Sequence, residues 1–364
     1  MRTIKSVLFT VIVILFASCK KNPKQIVGPV KQTMPVIKIQ GQHFVTDSGK
    51  TFIPWGLQYT NTAKIPLIED NWLADTTWAV ILQDFRNMKA LGANVVRIHL
   101  EFNKFMTSPT QPNEQNLDRL KQLVDYAEQL NVYLDVTGLA CYRAADTPPW
   151  YDAMNEKDRW AAQAIFWQAI AKKIGGNNNV MAYNLMNEPV VPAAVTNTWL
   201  PGTPFGGYNF IQNVTRDPAG RSTDSVFRAW SKQLYAAIRQ YDKKTLITVG
   251  FLPLGNIYSY GLNLDYLSAH VYPQTGQIPQ QVSFVTSNFS QSGKPLIIEE
   301  FDDLYAGISG TTTFMQQTRY AVSGYISYYD GNSLQQLQAC STQSIGCAIQ
   351  YQWINFYFGL NPNK

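Results

Sequence analysis

Two glutamates follow apolar runs in this chain, and both are candidates for acid/base or nucleophilic work. Glu188 closes Ala182-Tyr-Asn-Leu-Met-Asn-Glu-Pro189, and the pair Glu299-Glu300 lies in Pro295-Leu-Ile-Ile-Glu-Glu-Phe301. Continuous apolar runs of this length read as strands buried on both faces, the habit of parallel sheets. Barrels of parallel strands keep their chemistry at the carboxyl ends of the strands. Two carboxylates converging there are the minimum equipment for breaking a glycosidic bond, one to protonate the leaving oxygen and one to attack or to activate water. Surface or salt-bridged glutamates are the common alternative, so the elements around them must agree.

Those elements read as one long alternation of β-rich runs and helical periods, the pattern of βα units around a parallel sheet. Eight strands are predicted: 51–55, 94–98, 132–136, 180–186, 245–249, 266–270, 296–300 and 348–353. Between them, Leu117, Leu120, Val124 and Ala127 fall on one helical face, as do Phe227, Trp230, Leu234 and Ile238. Segments 36–40 and 43–46 flank a turn and are predicted to form a hairpin closing the barrel bottom. Two long connections, after the third and fourth strands, carry Tyr142, Trp150, Tyr151, Trp199, Phe205, Tyr208 and Phe210. Aromatic residues on loops at that end suit a carbohydrate groove, because their apolar faces pack on sugar C–H groups.

The amino-terminal segment is read apart from the fold. Arg2 and Lys5 precede an apolar run from Val7 to Ala17, interrupted only by Thr10 and closed by Ser18-Cys19. That is the anatomy of a secretory leader, too short for a comfortable membrane span. Leu15-Phe-Ala-Ser-Cys19 resembles a bacterial lipobox, which implies lipid attachment at Cys19 and an exported, membrane-anchored lipoprotein. The expected organisation is therefore a leader over 1–18, a tether over 19–35 and one catalytic domain over 36–364. The first 24 residues hold five of the 30 basic residues and no acid, which leaves 25 basic against 25 acidic beyond them. A neutral body has no electrostatic footprint for nucleic acid, and nothing in the sequence calls for an obligate protein partner.

Apart from Cys19, the cysteines are Cys141, Cys340 and Cys347. Cys340 and Cys347 are close enough to staple the loop before the last predicted strand or to stay free, and Cys141 reads as a small buried hydrophobe. His43, His99 and His270 are far apart in sequence and no Cys/His spacing has ligand form, so no metal and no cofactor is expected.

Taken in order, the strand-end motifs resemble the family 5 glycoside hydrolases, the cellulase family, within the clan of retaining barrel glycosidases. The motifs are Phe52-Ile-Pro-Trp-Gly-Leu-Gln-Tyr59, Leu91-Gly-Ala-Asn-Val-Val-Arg-Ile-His99, Asn187-Glu188-Pro189, His270-Val-Tyr272, Glu300-Phe301 and Trp353. The resemblance implies a (β/α)8 TIM barrel, with Glu188 as acid/base and Glu300 as nucleophile. Arg97 would orient the nucleophile, Asn187 would bind the sugar 2-hydroxyl, His270 and Tyr272 would flank the two carboxylates, and Trp353 would form a sugar platform. Thr137 stands where the family usually has a third-strand histidine that contacts the sugar. Strand alternation sends Leu296, Ile298 and Glu300 to one face and Ile297 and Glu299 to the other, so Glu299 is expected to make a structural ion pair or hydrogen bond. The implied activity is double-displacement cleavage of a β-linked glycan of the glucan or mannan type. A glycan-binding lipoprotein on the same barrel without catalysis is the alternative, and a transglycosylase would share every residue named.

Overall fold

The computed structural model describes residues 33–364. Eight parallel strands close a barrel in chain order: Trp55–Thr60, Val95–Glu101, Tyr133–Ala140, Val180–Asn187, Leu246–Phe251, Leu267–His270, Leu296–Glu300 and Gly324–Asp330. Helices cover the outside, including Asp75–Leu91, Glu114–Gln129, Glu156–Ile174, Thr223–Ile238, Ile278–Ser292 and Gly307–Thr318. The Glu114–Gln129 helix shows why they form: Asn113 caps its first turn by accepting from the Asn116 N–H, and Leu117, Leu120, Leu123, Val124 and Ala127 form its buried stripe. The fifth strand is followed only by a 3-10 turn, Ile257–Ser259, before the sixth begins.

The hairpin Ile37–Gln40/His43–Thr46 is antiparallel, as expected. Its Ile37 and Phe44 join Val95, Tyr133, Met181, Leu246, Tyr266, Ile297 and Ile326 in a separate apolar cluster made from the beginnings of the barrel strands. Phe44 meets the Tyr266 ring edge-on at 5.2 Å. The amino-terminal mouth is thereby plugged, and the cleft opens at the other end, where the strands stop.

Two strand expectations are corrected. The first barrel strand is Trp55–Thr60, displaced from 51–55, because Pro54 has no N–H to give a ladder and Thr51 pairs with Val45 of the hairpin instead. The eighth is Gly324–Asp330, whereas 348–353 lies inside the helix Ile345–Gly359. The Ser344 side chain accepts from the Cys347 N–H at the start of that helix, and Trp353, Ile354, Tyr357 and Phe358 form its buried face at helical spacing. Cys340 and Cys347 are disulfide-bonded, joining the short helix Leu334–Cys340 to this last helix rather than stapling a loop before a strand. Cys141 is buried and free. The Cys19 lipobox and the leader lie outside the described residues.

Candidate active site

Arg97 stands at the centre of the carboxyl end of the barrel, fully buried, on the second strand. Its NH1 donates to Glu300 Oε1 at 2.7 Å and to Gln58 Oε1 at 2.5 Å. Its Nε donates to Thr137 Oγ1 at 2.9 Å, and its NH2 donates to Asn187 Oδ1 at 2.9 Å and lies 3.5 Å from Glu299 Oε2. A guanidinium fixes five donors in one plane, so side chains from the first, third, fourth and seventh strands are locked in register around it.

Glu300 accepts from two more donors on its other oxygen. Tyr272 OH donates to Glu300 Oε2 at 2.6 Å and Tyr328 OH at 2.8 Å, and the two hydroxyls also touch each other. Burial alone would raise this carboxyl, but the charges of His270 and Arg97 and the Tyr272 hydrogen bond hold it well below the usual carboxylate range. Glu300 is therefore an anion at neutral pH, the state a nucleophile requires. Burial and the neighbouring Glu300 charge push the Tyr272 hydroxyl far up, so it stays a donor.

Glu188 and Glu300 meet at one nitrogen of His270, whose Nδ1 is 2.9 Å from Glu188 Oε1 and 3.4 Å from Glu300 Oε2. Carboxylate oxygens of Glu188 and Glu300 lie within 4.8 Å of one another. Burial opposes charge on His270, yet Glu300 and the contacts to Glu188 and Glu299 raise its pKa to about 9. The backbone at Glu188 has φ 44°, a left-handed conformation that costs a non-glycine residue energy. It is held there by its N–H on the Gly250 carbonyl at 2.8 Å and by Pro189, which disfavours the right-handed helical region for the residue before it. This turn brings Asn187 and Glu188, neighbours in sequence, to the same cleft.

The paired glutamates both face the interior, contrary to simple alternation. Leu296 and Ile298 pack outward with the helices, Ile297 points into the plugged bottom, and Glu299 continues inward. Between the pairs Ala269/Ile298 and His270/Glu300 the register slips by one residue. Such a bulge leaves one residue unpaired and re-aims its neighbour, so Glu300 turns to the cleft above Glu299. Glu299 is fully buried, accepts from Asn184 Nδ2 at 2.7 Å and faces Arg97, the structural partnership the sequence suggested.

Asn187 uses both ends of its amide on the protein, accepting from Arg97 and donating to the Phe210 carbonyl at 3.1 Å. Two expected sugar contacts are corrected. Thr137 is fully buried, three residues short of the end of its strand at Ala140, and its hydroxyl supports Arg97. Trp353 is on the last helix, 6% exposed, with its indole N–H on Ser327 Oγ at 2.8 Å and its ring against Phe301, Phe356 and Tyr357. It lines no part of the cleft beside the two carboxylates. His99 lies against Tyr142, whose hydroxyl bonds its Nδ1, and burial together with Arg97 keeps its imidazole neutral.

The residues that sequence reasoning missed are Tyr328, Gln58 and Asn184. Tyr328 was hidden by the misplaced eighth strand; the β-prone tyrosines and Ile326 in Gly324-Tyr-Ile-Ser-Tyr-Tyr-Asp330 were the available signal. The open cleft, about 410 Å³, is walled by Gln58, Thr60, Phe205, Phe210, Tyr305 and Tyr328 around Glu188 and Glu300. Of the loop aromatics, Phe205 and Phe210 reach it, whereas Tyr151 and Trp199 sandwich the buried Arg159 guanidinium, 3.5 and 4.2 Å from their ring centres. Glu188, His270 and Glu300 also have the donor types of a metal site. Arg97 and two tyrosines already occupy the Glu300 oxygens, and a cation there would have to displace them.

Three of the solved structures to which the chain is similar show the range. They are the exo-β-1,4-mannosidase Op5Man5 from Opitutaceae bacterium strain TAV5 (16% identity, TM-score 0.60, covering 79% of this chain and 53% of that one), the β-glucanase SdGluc5_26A from Saccharophagus degradans in complex with cellotetraose (19%, 0.55, 82% and 86%), and the β-1,4-mannanase of the sea hare Aplysia kurodai (16%, 0.59, 80% and 92%). The match thus spans about half the length of the first of these and most of the other two. At such identities the likeness is one of fold. No curated protein matches the chain. Residues 45–343 match the model for Cellulase (glycosyl hydrolase family 5), and the chain belongs to that family.

Proposed function

We propose that the protein is a retaining glycoside hydrolase that cleaves β-linked glycans of the glucan or mannan type. The observation that carries this is the approach of Glu188 and Glu300 to within 4.8 Å. Retaining pairs stand roughly 5–5.5 Å apart, and inverting pairs at about 6.5–9.5 Å leave room for a water between them. In the first step Glu300 attacks the anomeric carbon, the glycosidic C–O bond breaks, and the leaving oxygen takes the proton of Glu188. In the second, Glu188 takes a proton from water, whose oxygen forms the new bond to the anomeric carbon as the bond to Glu300 breaks. Arg97, Tyr272 and Tyr328 stabilise the carboxylate before attack and as it leaves. Phe205, Phe210 and Tyr305 supply flat apolar walls for sugar faces. The structural relatives named as mannosidase, mannanase and glucanase motivate the substrate range.

The test is a panel of β-glucan, β-mannan, xylan and aryl glycosides, followed by labelling with the matching 2-fluoro glycoside. Hydrolysis with a covalent adduct on Glu300 is expected. Glycan binding with neither turnover nor adduct would favour a binding protein that has lost catalysis.

The same reading places the enzyme on a membrane through lipid on Cys19. Its support is the Leu15-Phe-Ala-Ser-Cys19 box behind a basic and then apolar leader. Among the described residues no helix is long and apolar enough to cross a membrane. Cys19→Ser should move the protein from the membrane fraction to the soluble one; an unchanged distribution overturns the anchor.

A further inference from the structure

Below the catalytic pair, two fully buried carboxyl groups face each other. Asp135 on the third strand accepts from Tyr266 OH at 3.0 Å through Oδ2, while its Oδ1 has no donor among the surrounding N–H and O–H groups. Glu299 Oε1 is likewise without one. The two side chains are within hydrogen-bonding reach of each other, and on each this is the oxygen that no other group occupies. Two carboxylates in a dry interior repel strongly, so a contact of this kind needs one proton between them.

The surroundings decide which group carries it. Glu299 Oε2 accepts from Asn184 at 2.7 Å and faces Arg97 NH2 at 3.5 Å and His270 Nε2 at 3.6 Å. Asp135 has the Tyr266 hydroxyl alone on its other oxygen. The cations therefore favour the anion at Glu299 and leave the proton on Asp135. Burial pushes Asp135 well above the usual carboxylate range, and against the same burial the Arg97 charge, with His270 and Asp135 close by, holds Glu299 well below it. The other titratable groups facing the cluster are Glu300 and Glu188 from the seventh and fourth strands, with neutral His99 beside Arg97.

We propose that Asp135 is a positioning residue: as a neutral acid it donates a hydrogen bond to Glu299, and the singly charged pair holds His270 as an imidazolium against Glu188. An imidazolium donates from both nitrogens. Its Nδ1–H then occupies Glu188 Oε1, and the acid proton of Glu188 is confined to Oε2. The link to catalysis rests on Glu188 being the acid, as proposed above; the proton on Asp135 and the charge on His270 do not.

Two spectroscopic measurements test it without using turnover. Difference infrared spectra of D135N against wild type at neutral pH should lose one protonated-carboxyl C=O absorption, with E69Q and E101Q subtracted separately because burial also raises those two groups. NMR titration of the three histidines, with His270 assigned by H270N, should give His270 near pH 9 in wild type. In D135N, where the amide still donates to Glu299, that titration should stay in place. In E299Q it should fall by about one unit or more. If E299Q does not fold, D135N decides alone. An infrared spectrum unchanged by D135N, or a wild-type His270 titrating near its ordinary value of about 6.5, overturns the proposal. A wild type that gives both spectra as expected but shows no turnover would count against the hydrolase reading instead.

Discussion

The Tyr328 hydroxyl donates to Glu300 Oε2 at 2.8 Å from the eighth strand, opposite the Arg97 contact to Oε1 at 2.7 Å. The nucleophile is thus held from both sides by residues on different strands, with Tyr272 as a second donor on the tyrosine side.

Tyr328→Phe should lower kcat/KM by roughly ten- to a hundredfold, since a hydrogen bond to a charged group contributes about 1.5–3 kcal/mol. Losing a donor to the charged form raises the Glu300 pKa, so the acidic limb of the pH profile should move upward. A pH–rate series on the variant checks both; an unshifted limb with full activity would remove Tyr328 from the site.

Gly250 is where the backbone must come close to the polar cluster. A Cβ there would lie 2.5 Å from His270 Nε2, 2.8 Å from Glu299 Oε2 and 3.1 Å from Arg97 NH2. Gly250→Ala should therefore displace all three and reduce kcat by about tenfold or more, with a stability loss of roughly 1–3 kcal/mol from overpacking. Wild-type kcat in the alanine variant would show that the cluster has slack the structure does not show.

Glu101 and Glu69 are buried together beside the cleft, with Glu69 Oε1 accepting the Glu101 N–H at 2.8 Å. Burial, and then the charge of Glu69, raise Glu101 to about 8. The folded state therefore keeps a proton that the unfolded chain releases above about pH 4.3. Stability contributed on the acid side is lost as pH rises from there through about 8. Glu101→Gln, which keeps an acceptor for the Tyr142 N–H, should gain on wild type across that window, by roughly 4–5 kcal/mol at pH 8. Denaturant midpoints at pH 5 and pH 8 measure the gap; a gap that does not widen with pH would contradict the assignment.

The strand-end motifs carried most of the site into the sequence because each is local. Arg97, Asn187-Glu188-Pro189, His270-Val-Tyr272 and Glu300 lie on or beside strands whose apolar runs are continuous, and their convergence follows once the barrel closes. What was not legible depends on long-range partners or on a mixed pattern. Asp135 sits in an ordinary apolar run, and only Glu299, 164 positions away, gives it a role. The eighth strand mixes tyrosine and serine inside a barrel, whereas the helix holding Trp353 is so apolar that it competes as a strand. The bulge that turns Glu300 inward beside Glu299 is a backbone event, and a strict two-residue period has no means of signalling it.

Proton NMR of the first product formed from a β-linked oligosaccharide tests the central claim most directly. A pair converged on one bond, with Glu300 ionised and Glu188 within 4.8 Å of it, predicts that the β anomer is released first and only later mutarotates. Initial release of the α anomer would mean that water, and not Glu300, attacks the anomeric carbon, and would contradict the double-displacement account.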